Sequence, residues 1–403
     1  MTLGFWIPVG SRDEVGELTG VTHFIEHLLF KGSRRYTAEQ TAQIFDTLGG
    51  ELNAATSREY VLVYGRFLDE QLTTAMDVLV DMLLTPTFAD LDREREVVLE
   101  EIAMYEDSPQ DLIHDVLAET VFGDHPLGHP VLGSREGIAA VSEGSIRAYH
   151  RRHFRFSDMI VAAAGNIDHD RLAELLLLEH GERDSAGLPR TSMALEFSPH
   201  RAFVTKETEQ MHVCLGGEGL SRNDPRRFVL SVLDSLLGGS LSSRLFQEVR
   251  EKRGLVYSIY SFSNMYRETG LSGVYFGCRP DRLGQVMETV TAELERVGRE
   301  VVPLDELERA KEHLKGRMIL GLESTASRMT RLGKALLTDS EILSLDQIAE
   351  RVDAVSQDDV RELARKVFDP GSLTVVGIGA DDDIFRETVP PPVRSVVKQG
   401  SRK

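Results

Sequence analysis

Cysteine is almost absent from this chain of 403 residues, which contains only Cys214 and Cys278. The two lie far apart in apolar, strand-like runs, so the sequence excludes a disulfide scaffold and a thiolate zinc site. We expect two buried, unreactive thiols. Such sparse cysteine is typical of a reducing compartment and predicts a cytoplasmic protein.

Long apolar runs and positive charge are lacking as well. No stretch approaches the roughly 20 consecutive apolar residues of a membrane-spanning helix, although 41% of the residues are hydrophobic. The formal net charge is −19, which argues against nucleic acid as a partner and would sooner attract basic peptides. The N-terminus has neither the basic start nor the apolar segment of a signal peptide, and it resembles the interior of a strand.

The two halves of the sequence show the same order of predicted strands and helices. We therefore predict two similar α+β domains, residues 1–182 and 200–385, joined by a polar linker at 183–199 that contains Gly and Pro. The tail 386–403 is rich in Pro and then basic, and we expect it to be disordered. In the first half, the apolar segment 158–165 predicts a strand in the centre of a sheet.

A five-residue helical motif, HFIEH, carries the clearest chemical signal. His23 and His27 are four residues apart, which rotates a helix by about 40°, so both imidazoles project from one face. Glu26 lies on the same side. Two imidazoles and a third ligand leave one zinc position open to water, and a carboxylate beside that water can take its proton as it attacks a carbonyl. The competing interpretation is an ordinary helix with surface or core histidines.

A carboxylate on another element should supply the third ligand, and the acidic helix predicted at 91–106 offers candidates. Glu94 and Glu101 are seven residues apart, which is two helical turns, so they share a face. Glu100 is rotated by about 100° from Glu101 and should point elsewhere. A solvated acidic helix explains Glu100 well and explains the pair on the shared face less well.

Three segments in this order, HFIEHLLFKG at 23–32, LGGELNA at 48–54 and VVLEEI at 97–102, resemble the inverzincin family of pitrilysin, insulin-degrading enzyme and mitochondrial processing peptidase. The resemblance extends over nearly the whole chain and is strongest to the two-domain bacterial members. It implies two similar domains, each a mainly antiparallel sheet packed with helices, around a central chamber. It also implies the site residues: zinc ligands His23, His27 and Glu101, general base Glu26, and Glu94 supporting the ligands.

The same resemblance assigns residues to the substrate. In that family an edge strand pairs with the extended peptide, and the matching segment here is 51–56, with Asn53 and Ala54. An Arg and a Tyr seven residues apart reach the substrate from the second half, and these positions are Arg250 and Tyr257. A Tyr hydroxyl can donate to an oxyanion, and Arg can hold a carbonyl or carboxylate. Without the resemblance, an ordinary sheet strand, a surface Arg and a half-buried Tyr are simpler interpretations.

We therefore predict a zinc-dependent endopeptidase that cleaves extended peptides, basic ones among them, or presequence-like segments. The resemblance implies a homodimer, or a heterodimer with a similar chain. A non-catalytic peptide-binding or scaffold subunit is the alternative, although such partners typically lack the zinc motif. A zinc hydrolase of non-peptide substrates is a third possibility that no residue favours. Family members carry roughly 30 further residues ahead of this point, so we expect a first domain without its usual first strands and with an exposed sheet edge.

Overall fold

The computed structural model describes residues 1–180 and 195–391. Residues 183–194 of the predicted linker and 392–403 of the predicted tail lie outside the described residues. The chain forms two compact units. Unit 1 is built from the described parts of Met1–Asp107, Asp124–Met193 and Gly316–Leu345, and unit 2 from those of Ser108–Gly123, Ala194–Lys315 and Asp346–Lys403.

Each unit has its own, mainly antiparallel sheet. In chain order the strands are Thr2–Ile7 (β1), Glu51–Thr56 (β2), Val61–Arg66 (β3), Ile160–Ala164 (β4), Arg201–Thr205 (β5), Met211–Glu218 (β6), Val256–Met265 (β7), Gly270–Cys278 (β8) and Thr374–Gly379 (β9). The strand order is β2-β3-β1-β4 in unit 1 and β5-β9-β6-β8-β7 in unit 2. The pair β5–β9 is parallel, and the other pairs are antiparallel.

The helices pack against these sheets. In chain order they are Val21–Leu29 (α1), Ala38–Thr47 (α2), Leu72–Leu84 (α3), Leu91–Glu106 (α4), Pro109–Phe122 (α5), Arg135–Ala140 (α6), Glu143–His153 (α7), His169–His180 (α8), Arg227–Leu237 (α9), Leu283–Arg299 (α10), Leu304–Gly321 (α11), Thr325–Leu337 (α12), Leu345–Asp353 (α13), Gln357–Val367 (α14) and Asp382–Thr388 (α15). A π-helical segment, Phe246–Glu251, precedes β7. The predicted α+β class with two similar units is confirmed.

Strand β1 lies inside the sheet of unit 1, because it pairs with β3 on one side and β4 on the other. All six of its residues are buried. Alternate side chains point to opposite faces, and Leu3, Phe5 and Ile7 enter the core that α1 also joins. The edges of this sheet are β2 and β4. In unit 2, β9 occupies the place of β4 and is covered by β5.

The prediction that segment 158–165 forms a central strand is wrong. The strand is β4, and it pairs with β1 alone among the described strands. Its apolar composition has another cause: Val161 and Ala163 pack against the main core of unit 1, whereas Ala162 and Ala164 pack in a second cluster that includes Met329 of α12. Both faces are covered, so both need apolar residues even at a sheet edge.

Each unit is completed by a helix from the other half of the sequence. Helix α12 packs on β1 and β4 of unit 1, and α5 packs on β6 and β9 of unit 2. Gly333 of α12 lies so close to Trp6 that a Cβ would meet the indole nitrogen at 2.0 Å, and a Cβ on Gly216 would meet Leu117 of α5 at 2.8 Å. The two compact units therefore do not coincide with the predicted ranges 1–182 and 200–385. Those ranges describe the duplicated halves of the sequence, and they stay a prediction.

The end of the described chain is ordered further than the sequence predicts. Helix α15 runs through residues 386–388, and Phe385 and Val389 are buried in the core of unit 2. The expectation of a disordered tail from residue 386 is therefore wrong up to Val389, because these side chains have a core to enter. Cys214 and Cys278 are free and buried, as predicted. No helix among the described residues is long and apolar enough to span a membrane.

Candidate metal centre

Helix α1 carries its apolar and its polar residues on different sides. Phe24, Ile25 and Leu28 are fully buried in the core of unit 1. The rings of His23 and His27 lie next to each other, with centroids 4.6 Å apart. The spacing of four residues thus places the two imidazoles together, as the sequence predicts.

Helix α4 brings the third ligand to these imidazoles. Glu101 Oε2 lies 3.1 Å from His27 Nε2 and 3.7 Å from His23 Nε2. Ligand atoms about 2.1 Å from a tetrahedral zinc ion are about 3.4 Å from one another, a spacing that these two distances bracket. The three ligand atoms lie within 4.8 Å of one another. Within the described parts of the chain, this is the one cluster of His, Cys, Asp or Glu with the geometry of a metal site.

The protonation state of His23 also fits a metal ligand. Burial and the neighbouring His27 lower the pKa of His23 to about 3, so its imidazole is neutral near pH 7 and has a lone pair to donate. His27 Nδ1 lies 3.0 Å from Glu94 Oε1, which leaves Nε2 facing Glu101. Imidazole nitrogens and a carboxylate oxygen are donor atoms that zinc prefers. The predicted ligands are therefore brought together with suitable chemistry.

Glu94 is buried behind His27 and is itself held in place. Its second oxygen, Oε2, lies 2.7 Å from Lys31 Nζ, and the residue is 4% exposed. The ammonium group compensates the buried carboxylate, and the carboxylate orients the imidazole. Glu100 on the same helix is exposed, as helix geometry predicts.

Glu26 lies between the two histidines in sequence and contacts the edge strand. The Thr56 hydroxyl at the end of β2 donates a short hydrogen bond to Glu26 Oε2. Burial raises the pKa of the Glu26 carboxyl, whereas the hydrogen bond from Thr56 and the nearby His27 act in the opposite direction. The carboxylate is thus fixed beside the ligands without being one of the cluster.

Strand β2, predicted to bind substrate, is an edge strand of the unit 1 sheet. Asn53 is exposed, and its Oδ1 accepts a hydrogen bond from the Ala54 N–H at 2.8 Å. The Ala54 side chain packs against the core. The strand therefore has the accessible edge that β-augmentation needs, and the substrate role of both residues stays a prediction.

Arg250 and Tyr257 lie in unit 2 and touch each other. The Arg250 guanidinium carbon is 5.0 Å from the centroid of the Tyr257 ring and 4.6 Å from that of Phe246. Tyr257 is 77% exposed, because a bulge between Val256 and Ser258 turns it out of the β7–β8 pairing. The interpretation as a half-buried strand tyrosine is wrong. The predicted substrate contact of the pair stays a prediction.

Sequence reasoning missed Lys31 and Thr56. Lys31 lies two residues beyond the end of α1, where helical spacing no longer predicts which side chains a residue meets. Thr56 gave no signal either, since its contact with Glu26 depends on how β2 lies against α1.

The fold and the cluster together define a class of protein: two α+β units, one of which carries the inverted His-x-x-Glu-His motif and a matching glutamate. The chain belongs to the insulinase family, peptidase family M16. Residues 1–135 match the model of that family, and residues 140–314 match the model of the peptidase M16 inactive domain. The complete metal cluster lies in the first match, whereas Arg250 and Tyr257 lie in the second.

Similar proteins have names that agree with this assignment. An uncharacterized zinc protease of Streptomyces coelicolor is 43% identical and aligns with 93% of this chain and 84% of its own. The uncharacterized zinc protease YmxG of Bacillus subtilis is 40% identical, over 91% and 90%. The structure of a protease from Helicobacter pylori superimposes with a TM-score of 0.87 at 21% identity, over 94% and 93%. That likeness shows the shared fold.

Proposed function

We propose that this protein is a zinc-dependent metalloendopeptidase that hydrolyses peptide bonds in extended peptides or presequence-like segments. One observation carries the proposal: His23, His27 and Glu101 converge within 4.8 Å, and Glu26 lies beside them on the same helix as the histidines. The names of the relatives, which are zinc proteases, support the metal and the reaction.

The residues of unit 1 have separate tasks in this reaction. His23, His27 and Glu101 would hold the zinc ion, which would polarise the substrate carbonyl and make an attacking water more acidic. Glu26 accepts the proton of that water and delivers it to the leaving amine. Thr56 holds Glu26 at the end of β2, next to the proposed position of the substrate. Glu94 keeps His27 oriented through its Nδ1.

The proposed substrate is an extended chain bound by backbone hydrogen bonds. The accessible edge of β2 supports this mode, which needs little side-chain specificity. An incoming strand that bonds the Ala54 N–H would displace the Asn53 amide that now accepts from it. Arg250 and Tyr257 are proposed as further substrate contacts, supported by the resemblance and by their exposed, stacked side chains. The Tyr257 hydroxyl would donate to the developing oxyanion.

The alternative is a non-catalytic subunit of a heterodimeric peptidase. The word inactive in the name of the second family model belongs to residues 140–314, which contain none of the metal cluster. A scaffold subunit has no need for two imidazoles, a ligand carboxylate and a supporting Glu94 in this arrangement. The complete cluster therefore favours the enzyme.

Metal analysis combined with peptide cleavage tests the proposal. The purified protein should contain one zinc per chain by elemental analysis and should cut an internally quenched peptide. A chelator should abolish cleavage, and added zinc should restore it. Mass spectrometry of the products should show internal cuts. Cleavage that persists without metal contradicts the mechanism, and metal without cleavage supports the scaffold alternative.

Assembly, peptide charge and cytoplasmic location stay predictions from the sequence. Light scattering after size exclusion would distinguish a monomer from the expected dimer. Matched peptides with basic and acidic flanks would test whether the net charge of −19 favours basic substrates.

A further inference from the structure

The two histidines of the centre are held in different ways. His27 is anchored through its ring, because Nδ1 meets Glu94 Oε1 at 3.0 Å. His23 Nδ1 is buried and has no hydrogen-bond partner among the described residues. The orientation of His23 therefore depends on packing and on the backbone turn that carries it.

That turn is the first turn of α1, and a buried carboxylate fixes it. Glu14 Oε2 accepts a hydrogen bond from the Gly20 N–H at 2.6 Å, and Glu14 Oε1 accepts one from the Thr22 N–H at 2.9 Å. Helix N-termini leave such donors unpaired, and Gly20, the residue at the N-cap, has no side chain with which to cap them. Glu14 is 2% exposed, so water cannot easily replace it.

Two further contacts hold the same turn. The Thr22 and Tyr149 hydroxyl oxygens are 3.0 Å apart in a buried hydrogen bond. Gly20 has φ +89° and packs against Gly133, and a Cβ on Gly20 would meet the Leu132 carbonyl oxygen at 2.6 Å. The backbone at the start of α1 therefore has little room to shift.

We propose that Glu14 is a positioning residue for the metal centre: by binding the backbone N–H groups of Gly20 and Thr22 it sets the place of His23, the ligand whose ring has no hydrogen-bonded anchor. Glu14 touches neither the metal ligands nor the substrate site in this arrangement. It acts through one turn of helix, as Glu94 acts on His27 through a ring nitrogen. The inference rests on the proposed zinc site.

Zinc affinity of the Glu14→Gln variant tests this role. Gln keeps the size of the side chain but places an NH₂ group against one of the two N–H donors, so one hydrogen bond is lost. We expect the zinc dissociation constant, measured by chelator competition, to rise about tenfold, the lower end for residues that orient ligands. The d–d absorption spectrum of the cobalt-substituted protein should also change, because His23 moves relative to the metal.

Asp81→Asn is the matched control. Asp81 is another buried carboxylate of unit 1 that accepts a backbone N–H, from Arg35 at 3.0 Å, but it lies on α3. This variant should lose thermal stability and keep the wild-type zinc affinity and cobalt spectrum. Failure of the wild-type protein to bind zinc would overturn the zinc site and this inference together. Wild-type affinity and spectrum in Glu14→Gln, with only a lower melting temperature, would overturn this inference alone.

Tyr149→Phe decides the question if Glu14→Gln does not fold. It removes the hydroxyl of α7 that bonds Thr22 in the first turn of α1. Zinc binding should weaken about twofold to fivefold, in line with the loss of one hydrogen bond. Tyr36→Phe is its control, because the Tyr36 hydroxyl bonds Asp77 at 2.5 Å, outside α1. Equal zinc affinity in Tyr149→Phe and Tyr36→Phe would overturn the inference.

Discussion

Helix α1 of unit 1 and helix α9 of unit 2 have the same place in the order of elements, directly after β1 and β6. Each buries two adjacent pairs of apolar residues, Phe24–Ile25 and Leu28–Leu29 in α1 and Val232–Leu233 and Leu236–Leu237 in α9. This pattern aligns the residue between the pairs, Glu26, with Asp234.

The strand contact of the acid recurs in unit 2. Asp234 lies against β7, where the Ser261 hydroxyl donates to the Asp234 backbone carbonyl at 3.1 Å, whereas Glu26 lies against β2, where the Thr56 hydroxyl donates to its carboxylate. The metal ligands do not recur.

Serines stand where α1 has its histidines. The alignment pairs His23 with Ser231 and His27 with Ser235. The two serine hydroxyls donate to backbone carbonyls, of Arg227 at 3.0 Å and of Ala310 at 3.2 Å. Unit 2 thus keeps the helix and the acid without the two imidazoles. The helix and its acid therefore belong to the shared architecture of the two units, whereas the imidazoles and Glu101 belong to the candidate metal centre of unit 1.

Glu26 and Asp234 should differ most in their contribution to kcat. Glu26→Gln should lower kcat for a quenched peptide by about 10²–10⁴-fold, the usual contribution of a general base, and should leave zinc bound. Asp234→Asn should change kcat less than about twofold, because that helix has no ligands. Steady-state kinetics with zinc analysis measures both. A similar loss of kcat in the two variants would break the comparison.

Truncating the helices that come from the other half of the sequence, α12 in unit 1 and α5 in unit 2, should give the next largest effect. Met329→Ala in α12 and Leu117→Ala in α5 each remove a fully buried side chain that covers a sheet. Each should cost about 2–5 kcal/mol of unfolding free energy. The chain has one tryptophan, Trp6, and it packs with Met329 in unit 1.

Tryptophan fluorescence therefore reports on unit 1, whereas circular dichroism reports on both units. Met329→Ala should lower the fluorescence midpoint of unfolding more than Leu117→Ala does. Identical fluorescence midpoints in the two variants would show that the units unfold together.

The next effect concerns Asp234 of α9, which should make the stability of the protein depend on pH. Burial raises the pKa of Asp234 to about 6, against an ordinary value of 3.8, although the nearby Ser263 and Ser261 hydroxyls act in the opposite direction. The folded state then holds a proton more tightly than the unfolded state, so stability falls as pH rises from about 4 through 6. Asp234→Asn cannot ionise and should escape this loss, which is at most about 3 kcal/mol.

Thermal melts at pH 5 and pH 8 test this expectation. The advantage of Asp234→Asn over the wild type should be larger at pH 8. An advantage that is independent of pH would mean that Asp234 does not titrate between these values.

Removing the Glu94 carboxylate that orients His27 should have a smaller effect, on zinc affinity. Glu94→Gln should weaken zinc binding about 10- to 100-fold, because His27 loses a charged partner and Lys31 is left without one. Glu100→Gln on the same helix is the control, since Glu100 is exposed. Chelator competition measures both affinities, and equal values would remove Glu94 from the centre.

The hydroxyl-to-acid contact should give the smallest effect. Thr56→Val removes the hydrogen bond to Glu26 and should lower kcat by about fivefold, which corresponds to about 1 kcal/mol. Ser261→Ala removes the β7 hydroxyl that bonds Asp234 and should leave kcat unchanged. A change in KM alone for Thr56→Val would instead place Thr56 in substrate binding.

Helix periodicity predicted the local part of the site, because it depends only on spacing. His23 and His27 share one face, and so do Glu94 and Glu101. Which of the two acids is a ligand depends on how α1 packs on α4, and for that the sequence needed the resemblance to a family.

The error about β4 and the unpredicted place of α12 have a common physical cause. An apolar strand such as β4 shows that both of its faces are covered, but it does not show whether strands lie on both of its sides. Likewise, the amphipathic pattern of α12 shows that one face is buried and does not show which sheet it covers. Long-range packing decides both questions.

The late position of α12 in the sequence also has a consequence for biosynthesis. Every residue of the metal cluster has been synthesised by residue 101, but Met329 and Gly333, which cover the outer face of β1, come much later in the chain. At about 5–20 residues per second, that interval lasts roughly 10–50 seconds. We expect nascent unit 1 to remain incomplete, with Trp6 uncovered, over this time. Unit 1, which contains the candidate metal centre, therefore cannot close until nearly the whole chain has been synthesised.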